Sequence, residues 1–367
     1  MNEKINIGNI TPPLVSVIIP CYNMEQYVGR CLDSLIANQY PQKELICVDD
    51  GSTDGTWRIL QNYKNKFDYV KIIHKSNGGV SSARNLGLDI ARGVYVMFAD
   101  PDDIVSDIFL EKAVIAIHMR KNDIVSFEYT MLGRELNETE HQYAYDTPTE
   151  VLLKLFPAVI GITQQSLEHW QKGMGFDWRL GGQVWRFILR KSVIDKYYLR
   201  FASHIRAGED QMFILQFLLY AGSASSISEV LYTYAPRPQG LYMQNITGVN
   251  IQQSLQNKID LLQERMRLSG ILKEKMNMKE TKSLYMGSCV LSCMQLAVLF
   301  SRRLSNYKYF NTYVGIPVVM QCTANLNIKL CRDIKKKIPL WLLKHHWNKV
   351  LYLLLWIANK FRFSFSY

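Results

Sequence analysis

Residues 44–56 read Glu44-Leu45-Ile46-Cys47-Val48-Asp49-Asp50-Gly51-Ser52-Thr53-Asp54-Gly55-Thr56, an apolar run that stops in an acidic, glycine-containing turn. A short apolar run closed by turn residues reads as a buried strand. Gly51 permits the sharp turn, and Ser52 or Thr53 is placed to cap a helix from Asp54 onward. The same grammar recurs on either side. Leu14 to Ile19 is strand-like and ends at Pro20, and Gln26 to Ile36 has helical spacing. Val70 to Ile73 leads through Asn77-Gly78-Gly79 into a helix reaching Ala91, and Val94 to Ala99 ends in Asp100-Pro101-Asp102-Asp103. Strands alternating with helices predict an α/β fold with a parallel sheet, whose ligand crevice lies beyond the carboxyl ends of the strands. Asp123 to Phe127 reads as a fifth strand, after which the rhythm is lost.

The 367 residues are 48% hydrophobic and 20% charged, which excludes a disordered chain, a collagen-like fibre and a disulfide miniprotein. The formal charge of +11 favours acidic partners such as nucleotides, nucleic acid or an anionic membrane. Its distribution is uneven: from Arg332 onward eight basic residues face only Asp333, so the tail holds +7 of that +11. A terminal excess interleaved with Leu and Trp points to local attachment and fits nucleic acid poorly. The 7 cysteines are odd in number and lack CxxC spacing, which suits buried thiols in a reducing, cytoplasmic compartment. Cys289 and Cys293 would share a helix face without a nearby second thiol pair or His, so zinc is disfavoured. Met1 to Pro13 has no apolar stretch of signal-peptide length, and the sequons at Asn137 and Asn245 are read as chance matches.

These patterns divide the chain into an α/β core over residues 1–130, a mixed region over residues 131–240 and a helical extension with a basic amphipathic tail over residues 241–367. Gly133 to Thr149 is polar and loop-like, and Gly173 to Gly182 is a Gly-rich loop. Ser283 to Ser301 carries no charge and approaches the roughly 20 residues a membrane span needs. Its serines, Gln295 and Gly287 favour a buried helix of a C-terminal bundle.

Four acidic positions at strand ends carry the chemistry: Asp49 and Asp50 after the second strand, Asp100 and Asp102 after the fourth, with Asp103 alongside. Two carboxylates one residue apart can hold a divalent cation, and a hard cation can hold a diphosphate. A single Asp-rich turn serves equally well as a solvated cap. Two such turns on strands of one sheet shift the balance towards a ligand site.

Taken together, Val15 to Asn23, Val48 to Thr56, Asn77-Gly78-Gly79 with Ala83 to Gly87, and Phe98 to Asp103 resemble the ordered signature of bacterial family 2 glycosyltransferases of the GT-A fold. The resemblance is close over roughly residues 14–125 and looser to about 240, through Val184-Trp185 and Gly208-Glu209-Asp210. It implies a Rossmann-like nucleotide-binding sheet with an acceptor region and a C-terminal helical extension. It also implies that Pro20, Tyr22, Asn23, Asp49, Asp50, Arg84 and Asp100 meet the nucleotide, and that Asp102 with Asp100 holds Mg²⁺ or Mn²⁺. Pro101 stands where the family more often has a small polar residue, and it stiffens the turn without removing a ligand.

Asp210 corresponds to the family's general base, which accepts the proton of an attacking sugar hydroxyl in a single, inverting displacement. On its own, Glu209-Asp210 also reads as an acidic first helical turn, favourable with the helix dipole, ahead of a helix from Gln211 to Tyr220. Trp185 is either a core residue or a sugar platform, Arg237 either a loop charge or a diphosphate contact, and His204 a lesser metal candidate. The expected activity is transfer from a nucleotide-diphosphate sugar, a UDP-sugar in particular, to a saccharide or lipid-linked saccharide in cell-surface polysaccharide or glycolipid assembly. The alternatives are a non-catalytic nucleotide-sugar-binding or scaffold protein of an envelope complex, or a sugar nucleotidyltransferase. In the tail, Trp341, Trp347 and Trp356 among lysines suit a helix lying in the interface of an anionic membrane, which would place the protein on the inner face of the cell membrane. A helix docked on the protein's own core is the competing reading.

Overall fold

The computed structural model describes residues 11–133, 142–174, 181–237 and 250–360. The sequons at Asn137 and Asn245, residues 1–10, most of the Gly173 to Gly182 loop and the segment from Phe361 lie outside the described residues. The chain forms two compact units, Met1–Leu155 with Gly182–Pro238, and Phe156–Gly181 with Gln239–Tyr367.

The first unit opens with β1 (Val15–Cys21), α1 (Val28–Ala37), β2 (Lys43–Asp49), α2 (Thr56–Lys64), β3 (Val70–His74), α3 (Val80–Ile90) and β4 (Tyr95–Phe98). Both β1 and β2 are buried along their whole length, as strands of a parallel sheet covered on two faces must be. The chain continues through β5 (Ile104–Val105), α4 (Phe109–Met119), β6 (Ile124–Met131), β7 (Ala144–Tyr145), β8 (Phe187–Arg190), α5 (Lys191–Lys196), α6 (Glu209–Leu218) and β9 (Ala224–Tyr234). The sheet order is β3-β2-β1-β4-β8-β6-β9-β5, with β7 paired to β9. Strands β1 to β4 are mutually parallel, and β8 enters antiparallel between β4 and β6.

Several boundaries differ from the sequence reading for definite reasons. Pro20 lies inside β1, opposite Val48. Its missing N–H is tolerated because β4 leaves β1 after Phe98, so only β2 flanks this end. Neither Ser52 nor Thr53 caps α2: Ser52 Oγ accepts from Asn23 N (3.0 Å) and Thr53 N donates to Asn23 Oδ1 (2.8 Å). Gly55 is the N-cap residue, without a side-chain cap, and Asp54 Oδ1 just ahead of it accepts from Thr56 N at 3.0 Å. The expected helix from Gln211 begins two residues earlier, at Glu209.

The second unit contains α7 (Ile251–Met276), α8 (Lys282–Phe300), α9 (Tyr307–Val314), α10 (Pro317–Ala324), α11 (Ile334–Lys344) and α12 (Asn348–Lys360). Asn250 caps α7 by accepting from Gln253 N at 3.0 Å. The uncharged α8 is long and apolar enough to cross a membrane by length and composition, but 72% of that window is buried and it packs against α7, α9, α10 and α12. It is therefore the central core helix of this unit, in line with its serines. All seven cysteines are buried and unpaired by disulfides.

Candidate active site

The strand order reverses direction between β1 and β4, so the first unit has its topological switch point where β4 runs into Asp100-Pro101-Asp102-Asp103. The turn is held from behind by β9. Asp100 N donates to Tyr232 Oη (3.0 Å), and that hydroxyl donates to Asp103 Oδ2 (2.8 Å). Ala235 N donates to the other Asp103 oxygen (2.7 Å). Burial, then the charge of Asp100, pushes the Asp103 carboxyl up to about 8. Trp185 fixes the Tyr232 ring, stacking on it at 4.4 Å and 8°, with Tyr234 beyond at 6.0 Å. Trp185 is 4% exposed, so it takes the core position.

Arg84 projects from α3 into this turn and is itself buried. Its Nη2 donates to Asp100 Oδ1 (2.9 Å), while Nη1 donates to Glu209 Oε1 (3.0 Å) and to Asp210 Oδ1. The guanidinium lies over Phe201 at 5.3 Å, and Phe201 stacks on Phe213 of α6 at 4.1 Å. Burial opposes the Arg84 charge, but Asp210, Asp100 and Glu209 outweigh it and hold the group cationic. The carboxylates feel the converse. Burial raises Asp100 to about 6 despite Arg84, with Asp210 and Asp102 adding to the rise. Burial and then Asp210 raise Glu209 to about 8.

Glycines allow α6 to present its first turn here. Gly208 adopts φ +91° immediately before Glu209, a backbone conformation that costs other residues strain. A Cβ on Gly182 would stand 2.6 Å from Gln211 Cα, so only glycine lets that segment pass the helix start. Val184 N then donates to Asp210 Oδ2 at 3.3 Å.

Asp102 faces the other cation: Arg237 Nε donates to its Oδ2 (2.5 Å), and the Arg237 guanidinium sits 5.4 Å from the Tyr27 ring. Four carboxylates, those of Asp100, Asp102, Glu209 and Asp210, are thus met by two guanidiniums, while Asp103 is held by Tyr232 Oη and Ala235 N. Asp100 Oδ2 and Asp102 Oδ1 carry no protein hydrogen bond among the described residues. Hard oxygen donors in an acid-rich setting fit Mg²⁺ or Mn²⁺. Among the described residues no three His, Cys, Asp or Glu side chains form a cation cage, and a cation of this type is commonly held by one or two carboxylates with substrate phosphates and water.

The remaining sequence candidates form a separate cluster at the ends of β1 and β2. Tyr22 is 46% exposed, whereas Asn23, with φ +52°, spends its side chain on Thr53. Asp49 is fully buried, with His74 Nδ1 at 2.6 Å from Oδ2 and Ser52 N at 3.2 Å from Oδ1. Asp50 anchors the glycine turn before α3: Lys75 Nζ and Gly78 N reach Oδ1 (2.6 and 3.0 Å), and Gly79 N reaches Oδ2 (2.7 Å). His204 is exposed. The structure therefore joins Arg84, Asp100, Asp102 and Asp210 in one site and groups Tyr22, Asn23, Asp49 and Asp50 beside it. Sequence reasoning missed His74 and Tyr232. The alternating aromatics of Tyr232-Thr233-Tyr234 were a usable signal for the second, since both rings lie on one strand face and stack with Trp185.

A doubly oriented sheet with its acidic turn at the switch point defines the GT-A type of nucleotide-binding fold. Residues 16–177 match the family model described as Glycosyl transferase family 2. It is 31% identical over 229 residues to a Bacillus subtilis (strain 168) protein described as the uncharacterized glycosyltransferase EpsJ, covering 62% of this chain and 63% of that one. It is 28% identical to the poly(ribitol-phosphate) beta-glucosyltransferase of Bacillus spizizenii, covering 62% of this chain and 33% of that protein. The chain thus spans less than two thirds of the length of these curated relatives. Among solved structures, residues 1–349 of S. aureus TarS in complex with UDP-GlcNAc superpose with a TM-score of 0.64 over 96% of this chain and 93% of that one. At 21% identity, this last likeness concerns the fold.

Proposed function

We propose that this protein is an inverting glycosyltransferase that moves a sugar from a UDP-sugar to a saccharide or lipid-linked saccharide acceptor in cell-surface polysaccharide or glycolipid assembly. The observation that carries this reading is the buried Arg84, which gathers Asp100, Glu209 and Asp210 from two distant segments at the switch point. In this reading residues 1–130 hold the donor, residues 131–240 supply the acceptor surface and the base, and residues 241–367 form the extension. Pro20, Tyr22, Asn23, Asp49 and Asp50 border the nucleotide end of the crevice. Asp100 and Asp102 would hold Mg²⁺ or Mn²⁺. When bound, the cation supplies charge neutralisation for the departing diphosphate.

The chain's own residues perform the remaining tasks. Arg84 fixes the Asp210 carboxylate in place, and Asp210 accepts the proton of the acceptor hydroxyl as that oxygen attacks the anomeric carbon. Glu209, raised to about 8, remains protonated near neutrality and lightens the charge that Arg84 must balance. Tyr232 holds the Asp100 backbone so that the acidic turn does not shift as a substrate enters. The protein works on the cytoplasmic side, at the inner face of the cell membrane, with its basic tail as the attachment.

Asp210→Asn tests the assignment. UDP release from a UDP-sugar in the presence of acceptor should fall by about 100-fold or more, the scale of general-base catalysis, while donor and Mn²⁺ still raise the melting temperature. Unchanged turnover would remove Asp210 from the mechanism. A protein stabilised by UDP-sugar that never releases UDP would be the non-catalytic binding protein instead.

A further inference from the structure

Of the twenty large hydrophobic residues that are exposed among the described residues, eight lie between Ile334 and Ile357. They are arranged rather than scattered. At about 100° per residue, Ile334, Ile338 and Trp341 fall within roughly 60° on α11. Val350, Leu353, Leu354 and Ile357 fall within roughly 100° on α12. Trp347, 54% exposed, stands between the helices and meets Trp341 edge-on at 5.4 Å, so the two stripes join. The opposite faces already have partners, because Leu340, Leu343, Leu351, Tyr352 and Leu355 are buried in the core of the second unit. The outward face of this helical pair is therefore apolar and, among the described residues, unpartnered, an arrangement that soluble surfaces avoid.

Its border is basic. Lys335 and Lys337 flank the α11 stripe, and Lys349 and Lys360 line one side of the α12 stripe, all four exposed. Asp333 is the sole acid from Arg332 to Lys360, and its carboxylate is spent capping α11 through Lys335 N at 2.8 Å. Two copies of this face brought together would oppose lysine to lysine, which disfavours self-association. Apolar and tryptophan residues rimmed by lysines instead match the layers of an anionic bilayer, where rings sit at headgroup depth and ammonium groups reach the phosphates.

We infer that the outward face of α11 and α12 is a lipid-docking surface, which inserts Trp341, Trp347 and the α12 stripe into the interfacial layer of an anionic membrane. The inference rests on the membrane placement proposed above and names the surface that achieves it. It differs from attachment by charge alone: apolar insertion anchors the protein, and the lysines select anionic headgroups.

The test uses the full-length protein with phosphatidylcholine vesicles containing or lacking phosphatidylglycerol. The wild-type protein should co-sediment with the anionic vesicles and largely remain in solution with the neutral ones. Lys335→Gln, Lys337→Gln and Lys349→Gln together should weaken binding about 100-fold, at roughly five-fold per lysine. Leu353→Ser with Ile357→Ser should weaken it at least 10-fold while leaving the circular dichroism spectrum and UDP-sugar turnover on a soluble acceptor unchanged. Wild-type protein that ignores both vesicles overturns the placement and the surface together. Binding that depends on the lysines but ignores the serine pair overturns the surface alone. A wild-type dimer in light scattering that the serine pair dissociates, without vesicle binding, makes the face a contact between copies and likewise overturns the inference. None of these outcomes touches the transfer reaction, which Asp210→Asn tests separately.

Discussion

Replacing Arg84 by Met removes the one cation shared by Asp100, Glu209 and Asp210 while keeping most of the side-chain volume against Phe201. The three acids have side-chain exposures of 27%, 10% and 19%, so solvent cannot substitute for the guanidinium. Breaking a buried ion pair by deleting one partner costs about 3–5 kcal/mol, and this applies when the acids are ionised. The cost therefore depends on pH, and its direction follows from the shifts. Asp100 and Glu209 have folded pKa values raised to about 6 and about 8. Their contribution to stability is present in full below the unfolded carboxylate range and is lost as pH rises through those values. Without Arg84 both values rise further, so the loss becomes steeper by up to about 1.4 kcal/mol per proton and per pH unit. Urea unfolding followed by tryptophan fluorescence should show Arg84→Met destabilised by about 1–2 kcal/mol near pH 5 and about 3–5 kcal/mol near pH 8. Glu209→Gln is the control: it mimics the protonated form, so its stability near pH 6 should match wild type and decline less towards pH 9. Equal destabilisation of Arg84→Met at both pH values would refute the electrostatic account and reduce Arg84 to a packing residue.

Two further substitutions test the supports of the site. Tyr232→Phe keeps the stack on Trp185 but leaves Asp100 N and Asp103 Oδ2 without their shared hydroxyl, which should cost about 1–3 kcal/mol of stability. In the same variant the Mn²⁺ concentration needed for half-maximal turnover should rise, and a melting temperature and Mn²⁺ response identical to wild type would dismiss the hydroxyl bridge. Gly182→Ala forces a methyl group against Gln211, so a loss of about 1–3 kcal/mol is expected in urea unfolding, together with slower turnover. Full activity and stability in that variant would mean that the start of α6 tolerates displacement.

The alternation from β1 to β4 was legible because each strand is a local apolar run and each turn carries its own polar stop. The second half of the sheet was not, since β5 and β7 have two residues each and β8 has four, and they exist only through pairing with distant partners. The same limit explains the misplaced cap of α2. Ser52 and Thr53 have the right chemistry for a cap, but Asn23, 29 and 30 residues earlier, competes for them. Within the site, Arg84, Asp100 and Asp210 were each recognisable by motif. Their convergence was not, because the contact from Arg84 to Glu209 spans 125 residues. The raised carboxyls of Glu209 and Asp103 depend on burial, a property that no residue in the sequence carries by itself. In the tail, the charge excess was plain from composition, whereas the outward direction of the apolar stripe depends on which face the core claims first.

The bond from Asp100 N to Tyr232 Oη links positions 132 residues apart, and β9 reaches it by lying between β6 and β5. During synthesis, at about 5–20 residues per second, the acidic turn emerges many seconds before the tyrosine that holds it. Until then β6 presents an open edge where β9 will pair, a template for association with other chains. A ribosome pausing between the codons for Met131 and Ala224 would hold the nascent chain in that exposed state. The order of translation thus makes the stretch between these strands the segment in which elongation speed and chaperone access matter most for the yield of folded protein.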